Sequence, residues 1–510
     1  MSKRLIFALF FLGCANILFA QFSIDWETEK RFGNDINGNG KIDIPNSYEY
    51  VHPESFNLKI FLTGPGREMQ SLQSAPRQFR WTVTDETGTV SVETTTRTPF
   101  LNTSLPKQGD YSVTVAFDNN TVNGTVAVRD YFIVCMGDSF ASGEGTPEML
   151  YTRKNPSIWG DGGLNGAQSV EHIRAHRSAL AWGPQAAMFL ENYDPRSSIT
   201  FLFLAISGAT VHEGLLGERK PIDNTFGAHK MKSQLEVLKE LAGDRPVDQL
   251  WLSIGGNDLH FANVATVLVV SSSQKDEKYY DYLNRAIEAI KTGKWEEGNR
   301  LISMLGYTED IRPGSDNLEA ALTEFDTALK ESVTVREICL IDYLFPIAGS
   351  TVTLDKIFPG LMIDPIESKS IIDSLTIPFR AVMKKSADQL GWRYIESAGF
   401  PEFAEHASER RIPNKPEDYK GNEWIREGFF PTTYADFRKY ILPRDVRWFR
   451  TEEESVIVQG GGVHRKKAST FSTNGTLHPN EYGHQAYMHM LLSSIRLPGF
   501  PDYSAEYETD

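Results

Sequence analysis

Hydrophobic and polar residues alternate in several short segments of residues 51–130. Phe56–Leu62, Phe79–Val83 and Tyr111–Val115 each place an apolar side chain at every second position, and Val122–Val128 continues this period. A period of two is typical of strands with one buried face, and turns rich in glycine and asparagine separate these segments. The pattern predicts an antiparallel β-sandwich.

The pattern changes after residue 130, where Phe132–Met136 is a continuous apolar run. Such a run is expected for a strand that is buried on both faces. Strand-like and helical segments then alternate, which predicts an α/β fold with a doubly wound parallel sheet. The predicted strands are Ile199–Ile206, Leu250–Ile254, Val335–Leu344 and Trp392–Ile395, and the predicted helices include Leu235–Leu241 and Ser370–Leu390.

Residues 262–330 interrupt this alternation. Leu283, Ile287 and Ile290 recur at helical spacing, as do Leu318 and Leu322. The spacing predicts an inserted helical subdomain. Its role is either a lid over a site or an additional helical layer.

The first twenty residues have the pattern of a signal peptide. Lys3 and Arg4 precede the apolar run Leu5–Phe19, and Ala20 provides a cleavage point. The run is shorter than the roughly 20 apolar residues of a membrane span. We therefore expect a secreted protein, extracellular or periplasmic, without a transmembrane segment; an uncleaved anchor or lipidation at Cys14 are the alternatives.

Composition narrows the functional classes. The formal net charge of the 510-residue chain is −15. Nucleic-acid binding needs clustered Lys and Arg, so we expect no nucleic-acid partner. Only Cys135 and Cys339 remain after the leader, and both lie in apolar segments, which predicts buried free thiols and no disulfide framework.

A segment near the N-terminus has the spacing of a calcium loop. Asp35, Asn37 and Asn39 occupy alternate positions, a glycine follows, and Asp43 comes next. Alternating oxygen ligands can converge on one ion. The twelfth position of a calcium loop is usually a Glu that binds the ion with both carboxylate oxygens, and here it is Asn46. The segment is either a structural Ca²⁺ site or a turn rich in Asn, Asp and Gly.

The buried strand that ends at Met136 continues into the glycine-rich segment Gly137–Gly145, which contains Ser139. Open α/β sheets bind their ligands beyond the carboxyl ends of the strands. Ser139 is therefore a candidate nucleophile at that edge.

Three further blocks follow in order: Ser207-Gly208, Gly255–Asp258 and, near the C-terminus, His478-Pro479. Together with the Gly-Asp-Ser block, this set resembles the SGNH, or GDSL-type, hydrolase family over roughly residues 131–495. The resemblance implies a three-layer, flavodoxin-like α/β domain and hydrolysis of carboxylic esters without a cofactor. Acyl groups of lipids and acetyl groups of glycans are both possible substrates.

The resemblance also implies a role for each matching residue. Ser139 would be the nucleophile and His478 its general base. The oxyanion hole would consist of the backbone amides of Ser139 and Gly208 and the side-chain amide of Asn257.

One position departs from the family pattern. The family usually has an aspartate three residues before the histidine, and Gly475 occupies that place here. One hypothesis is a dyad in which a backbone carbonyl near Asn474 or Gly475 accepts the histidine Nδ1–H. The other is a carboxylate from elsewhere, such as Asp445 or one of Glu452–Glu454.

The sequence thus predicts a linear organisation and two candidate functions. The first function is the secreted ester hydrolase, and the second is a non-catalytic cell-surface or glycan-binding protein on a decayed scaffold of this family. The predicted order is a signal peptide (1–20), an extended segment (21–50), an immunoglobulin-like β-sandwich (51–130), the hydrolase domain (131–500) and a tail (501–510).

Overall fold

The computed structural model describes residues 22–36, 38, 42–74, 76–148, 159, 167–222, 227–258, 318–343, 377–396, 455, 475 and 478–503. The predicted leader and most of the predicted insertion at 262–330 lie outside these residues. The chain divides into two compact units. The β unit comprises Met1–Glu29 and Glu54–Arg129, and the α/β unit comprises Lys30–Pro53 and Asp130–Asp510.

The β unit contains two antiparallel sheets whose buried side chains form one hydrophobic core. The first sheet has the order β1-β2-β5, with β1 Ser23–Thr28, β2 Phe56–Thr63 and β5 Phe100–Leu105. The second has the order β4-β3-β6-β7, with β3 Phe79–Thr84, β4 Val90–Thr96, β6 Gly109–Phe117 and β7 Asn120–Gly137.

The alternation read from the sequence corresponds to these two sheets. In β2, Phe56, Leu58, Ile60 and Leu62 are buried, whereas the residues between them are exposed or half-buried. Trp81 of β3 is fully buried, and its Nε1–H donates to Thr96 Oγ1 at 2.9 Å. The large ring therefore contributes apolar area to the core while its one polar atom is satisfied.

Strand β7 is a single 18-residue strand that covers both the alternating and the continuous apolar segment of the sequence. Its residues alternate in exposure up to Asp130, and every residue from Tyr131 to Gly137 is buried. The change in hydrophobic pattern marks the point at which the chain passes from one unit into the other, not the end of a strand.

The α/β unit contains a five-stranded arrangement in the order β8-β7-β9-β10-β11. The pairs β7–β9, β9–β10 and β10–β11 are parallel. The predicted α/β class is therefore confirmed. The strands are β8 Ser197–Phe203, β9 Gln249–Ser253, β10 Ile338–Ile341 and β11 Arg393–Ile395.

Helices cover both faces of this sheet, because successive side chains of β7 enter two different cores. Phe132 and Val134 pack with helices α6, α7 and α8, whereas Ile133 and Cys135 pack with α5 and α9. These helices are α5 Trp182–Tyr193, α6 Gln234–Ala242, α7 Leu318–Ser332, α8 Ile377–Leu390 and α9 Glu481–Ser494. The remaining helices are α1 Tyr48–Val51, α2 Gly66–Ser74, α3 Ser139–Ser142 and α4 Ala167–Ala175. Within the described ranges, none of these helices combines the length and apolarity of a membrane span.

Residues 21–50, one extended segment in the sequence prediction, are divided between the two units. Lys30–Pro53 belongs to the α/β unit, where Arg31 donates to Asp130 and Thr200. Arg245 also contacts Asp130, with its Nη2 2.9 Å from the carboxylate. Two half-buried cations thus share one buried carboxylate and fasten this segment to the sheet.

Candidate active site

The segment around Ser139 begins with a close approach between two parallel strands. Gly137 ends β7 with φ +137°, and a Cβ there would lie 1.9 Å from the carbonyl oxygen of Ser253 in β9. Only glycine fits this position. The N–H of Asp138 then donates to the same Ser253 oxygen at 2.9 Å. Ser139 consequently lies just beyond the carboxyl end of β7.

Asp138 fixes the turn that presents Ser139. Its Oδ1 accepts the N–H of Phe140 at 3.0 Å, and its Oδ2 accepts the hydroxyl of Tyr343. Burial raises the pKa of Asp138 to about 7, although both hydrogen bonds act to lower it. Asp138 is therefore the N-cap of α3, and Ser139 is the first residue of that helix.

The side chain of Asn257 lies between the Ser139 segment and the Gly208 segment. Its Nδ2 donates to the carbonyl oxygen of Ala209 at 3.0 Å and lies 3.5 Å from Oδ2 of Asp138. Within the described part of the chain, the N–H groups of Ser139 and Gly208 form no hydrogen bond. The three predicted oxyanion-hole residues are thus carried by neighbouring loops at one edge of the sheet.

A cation lies beside Gly208. A Cβ on this residue, whose φ is +75°, would lie 2.4 Å from Nη2 of Arg219. Asp258 fixes the same loop by accepting the N–H of Val211 at 3.0 Å, and burial raises the pKa of Asp258 to about 6. Arg219 and Gly208 are therefore in contact, and a larger residue at 208 would have to displace the guanidinium and adopt a strained backbone conformation.

His478 lies in the turn that precedes α9. Its N–H donates to the carbonyl oxygen of Gly475 at 3.1 Å, and Asn480 forms the N-cap of the helix. The imidazole packs against Phe140, with ring centroids 5.1 Å apart. A Cβ on Gly145 would be 3.3 Å from Cβ of His478. The turn that carries His478 therefore contacts the segment that carries Ser139.

A second hydrogen bond joins these two segments, because Thr146 Oγ1 donates to the carbonyl oxygen of Pro479 at 3.0 Å. The structure thus brings residues that are more than three hundred positions apart in the sequence to one edge of the sheet. Most of the residues that could orient His478 lie outside the described residues, namely Asn474, Asp445 and Glu452–Glu454. Whether a backbone carbonyl or a carboxylate accepts the Nδ1–H of His478 therefore remains a prediction.

Sequence reasoning missed a buried charged residue in this site, Glu144. Its Oε2 accepts the Nδ1–H of His176 at 2.8 Å and the hydroxyl of Ser207 at 2.6 Å. Burial alone would raise the pKa of Glu144, but the neighbouring His176 and His478 rings and these hydrogen bonds lower it to about 2. A charged side chain between two glycines, shortly after the Gly-Asp-Ser block, was the available signal in the sequence.

No family model matches the chain, and no curated protein matches it. Solved structures do match. The chain is similar to an extracellular lipase from Streptomyces rimosus, with 17% identity, a TM-score of 0.38 and coverage of 72% of this chain and 100% of the other. Phospholipase A1 from Streptomyces albidoflavus has 15% identity and a TM-score of 0.37, and the match covers 72% of this chain and 99% of the other. A carbohydrate acetylesterase from Xanthomonas citri has 10% identity and a TM-score of 0.23, and the match covers 67% of this chain and 64% of the other. The functional argument below therefore rests on the residues of the site.

The predicted calcium loop is only partly described, since Asn37 and Asn39 lie outside the described residues. The carboxylate of Asp43 is buried and accepts the N–H of Ile36 at 2.6 Å, a contact typical of a side chain that closes a turn. Asp35 is exposed. In the described part of the chain, no group of three metal-binding side chains occurs. Calcium binding by this loop remains a prediction.

His172 and His176, which are four residues apart, have separate partners. His172 is buried with its Nε2 3.1 Å from the carbonyl oxygen of Ile44, and burial lowers the pKa of His172 to about 3. His176 contacts Glu144. Cys135 and Cys339 are buried free thiols, as the sequence predicts.

Proposed function

We propose that this protein is a secreted serine hydrolase of carboxylic esters, with Ser139 as the nucleophile and His478 as the general base. One observation supports this most strongly: the turns that carry Ser139 and His478 contact each other at the carboxyl edge of the parallel sheet, beside Asn257. Nucleophile, base and amide donors at such an edge are the requirements of acyl transfer.

In the first half of the reaction, the hydroxyl of Ser139 attacks the ester carbonyl carbon while His478 takes its proton. The tetrahedral intermediate then collapses, the bond to the alcohol breaks, and His478 returns the proton to the leaving alcohol. In the second half, water attacks the acyl-serine by the same route. The acid is released and Ser139 regains its proton.

The negative charge of the intermediate requires donors that are fixed in advance. The N–H groups of Ser139 and Gly208 and the Asn257 amide would supply three, each typically worth about 2.7–4 kcal/mol of transition-state stabilisation. The Arg219 guanidinium beside Gly208 adds a positive charge that favours the same oxyanion.

The remaining parts of the chain have proposed roles within this function. Residues 1–20 would direct export. The β unit would be an immunoglobulin-like module, and residues 262–330 would form the helical insertion. The ester substrate would be an acylated lipid or an acetylated glycan.

Turnover of p-nitrophenyl esters from acetate to palmitate tests the proposal. We expect Ser139→Ala to lose about 10⁴-fold or more of kcat, because the nucleophile has no substitute. Ser91→Ala is the control, since Ser91 lies exposed in β4 and should behave as the wild type. The series of chain lengths separates lipid-like from acetyl substrates.

The alternative gives a different outcome. A protein that turns over none of these esters, yet binds glycans or cell surfaces equally well with and without Ser139, would be a non-catalytic binding protein. The absence of an acid at Gly475 is the feature that favours this alternative.

A further inference from the structure

The segment that presents Ser139 carries a buried carboxylate that the mechanism above does not use. Glu144 has a relative exposure of 0%, and its N–H donates to the carbonyl oxygen of Ser139 at 3.1 Å. Burying an ionised carboxylate is costly unless hydrogen bonds and opposite charge compensate. Its surroundings therefore indicate what the fold retains this charge for.

Two side chains hold the carboxylate from different loops. His176 Nδ1 lies 2.8 Å from Oε2, and because an ionised carboxylate only accepts, the imidazole N–H is the donor. The hydroxyl of Ser207 donates to the same oxygen at 2.6 Å. Ser207 directly precedes Gly208, so one carboxylate connects the Ser139 turn to the loop of the proposed oxyanion hole. With its pKa at about 2, Glu144 is ionised at neutral pH.

The fold accepts backbone strain to place this partner. His176 has φ +52°, in the left-handed region that non-glycine residues rarely adopt. Its ring stacks on the buried ring of Trp159, with centroids 4.4 Å apart and planes inclined by 7°. A strained residue that is fixed by stacking and by a charge-assisted hydrogen bond is typical of a functional site.

The segment of Glu144 also meets the turn that carries His478. The following residue, Gly145, contacts the turn of the histidine, with its Cβ position 3.2 Å from the Gly475 oxygen and 3.3 Å from His478 Cβ. The charge of His478 is one of the causes that lower the pKa of Glu144, and the interaction is mutual. His176 and His478 are the titratable side chains that lower this pKa, and they come from different loops.

We propose that Glu144 is the positioning residue of this site, whose buried negative charge stabilises the imidazolium of His478 in place of the acid that is missing at Gly475. This inference rests on the proposed function. The family-like position for the acid is in the same turn as the histidine, whereas here the charge comes from the turn of the nucleophile.

The role concerns one proton transfer. When Ser139 attacks, its proton moves to His478 and the imidazole becomes a cation. Glu144 takes no proton in this step, because it stays ionised and hydrogen-bonded to His176 and Ser207. Its charge lowers the free energy of the cationic histidine, and the proton leaves on the alcohol.

The pH dependence of kcat/KM for Glu144→Gln tests the role. Without the negative charge the imidazolium is less stable, so the acid limb of the profile should move to lower pH by about one unit. One pKa unit corresponds to about a tenfold change in equilibrium. We therefore expect kcat to fall about tenfold with little change in KM. Glu144→Asp, which keeps the charge, should restore the position of the limb.

Glu148→Gln is the matched control, because Glu148 lies four residues further along the same segment and accepts the Ala179 N–H at 2.7 Å. This variant should keep the wild-type acid limb. If Glu144→Gln does not fold, NMR titration of His478 in the wild-type protein decides, since the proposal requires a pKa above the ordinary value of about 6.5.

The outcomes separate the two proposals. If Ser139→Ala retains activity, the hydrolase mechanism itself is wrong. If Ser139→Ala is inactive while Glu144→Gln keeps the wild-type acid limb, the mechanism stands and the role of Glu144 is overturned. A His478 pKa below the ordinary value in the wild type would overturn it as well.

Discussion

The two units differ in what they bury. Among the described residues of the β unit, Thr28 is the only polar residue in the buried class, and the core consists of aliphatic and aromatic side chains. The α/β unit buries many polar and charged groups, among them Asp130, Asp138, Glu144 and His176. An apolar core needs only the correct pattern and volume, whereas each buried charge needs specific partners. Buried charge therefore distinguishes the unit that carries the candidate active site from the β unit.

The largest expected difference concerns ion pairs. Asp130→Asn would leave the half-buried Arg31 and Arg245 without their shared buried carboxylate, so we expect a loss of about 3 kcal/mol in the free energy of unfolding, the lower end of the range for a broken buried pair. The matched change in the β unit is Asp110→Asn. Asp110 pairs with Arg129 at 2.6 Å, but both side chains are exposed, and we expect a change within about 0.5 kcal/mol. Urea unfolding of both variants measures this contrast, and equal losses would contradict it.

A second comparison uses the same substitution in both units. Gly137→Ala would place a methyl group 1.9 Å from the Ser253 oxygen, so we expect a loss of about 3 kcal/mol from overpacking and strain. In contrast, a Cβ on Gly66 meets no atom within 4 Å. Gly66→Ala should leave the thermal unfolding midpoint nearly unchanged. A Gly137→Ala variant as stable as wild type would show that β7 and β9 can separate at no cost.

The smallest expected effect is on how the free energy of unfolding depends on pH. Glu144 and Asp85 both have a pKa below the ordinary value, Glu144 through its histidine neighbours despite burial, and Asp85 through hydrogen bonds from Thr87 and Thr89. A lowered folded-state pKa means that the ionised group stabilises the fold at neutral pH. For Glu144 this contribution is lost as the pH falls from about 4.5 to about 2.

We therefore expect Glu144→Gln to lose about 2 kcal/mol at neutral pH, the range of a hydrogen bond to a charged group, and less in acid. Asp85→Asn should lose less at neutral pH, because the partners of the half-buried Asp85, Thr87 and Thr89, are exposed and water can replace their hydrogen bonds. Unfolding by urea at pH values of about 7 and 3 checks both variants. A cost for Glu144→Gln that does not shrink in acid would show that the charge is not what stabilises the fold.

The hydrophobic pattern was sufficient where burial alternates along a strand, as in β2, β3 and β6. It did not identify β4, because every residue of Val90–Thr96 is exposed or half-buried and the strand has no buried face. It divided β7 in two, because the same strand has one buried face in the β unit and is buried on both faces in the α/β unit. The hydrophobic pattern thus indicates which residues are buried, and it identifies a strand only where the burial of that strand follows a regular period.

The blocks around Ser139, Gly208, Asn257 and His478 could be found by motif, and the structure places them on neighbouring loops. The roles of His176 and Tyr343 could not be found in this way. His176 matters because it reaches Glu144, and Tyr343 because it reaches Asp138, and both contacts depend on the folded topology. Residues that support a site through long-range contacts form no motif of fixed spacing, so the sequence alone does not identify them.

The assignment of Lys30–Pro53 to the α/β unit has a consequence for synthesis on the ribosome. The ribosome first synthesises β1 of the β unit and then Lys30–Pro53, whose Arg31 contacts Asp130 and Thr200 in the folded protein. The rest of the β unit is synthesised only after this segment. The β unit is complete once Arg129 has been synthesised and can fold first, whereas Lys30–Pro53 must remain a loop until the rest of the α/β unit follows. A fragment made to contain the α/β unit alone would need to include Lys30–Pro53 and replace Glu54–Arg129 by a linker, because a fragment that starts at Asp130 lacks the contacts of Arg31.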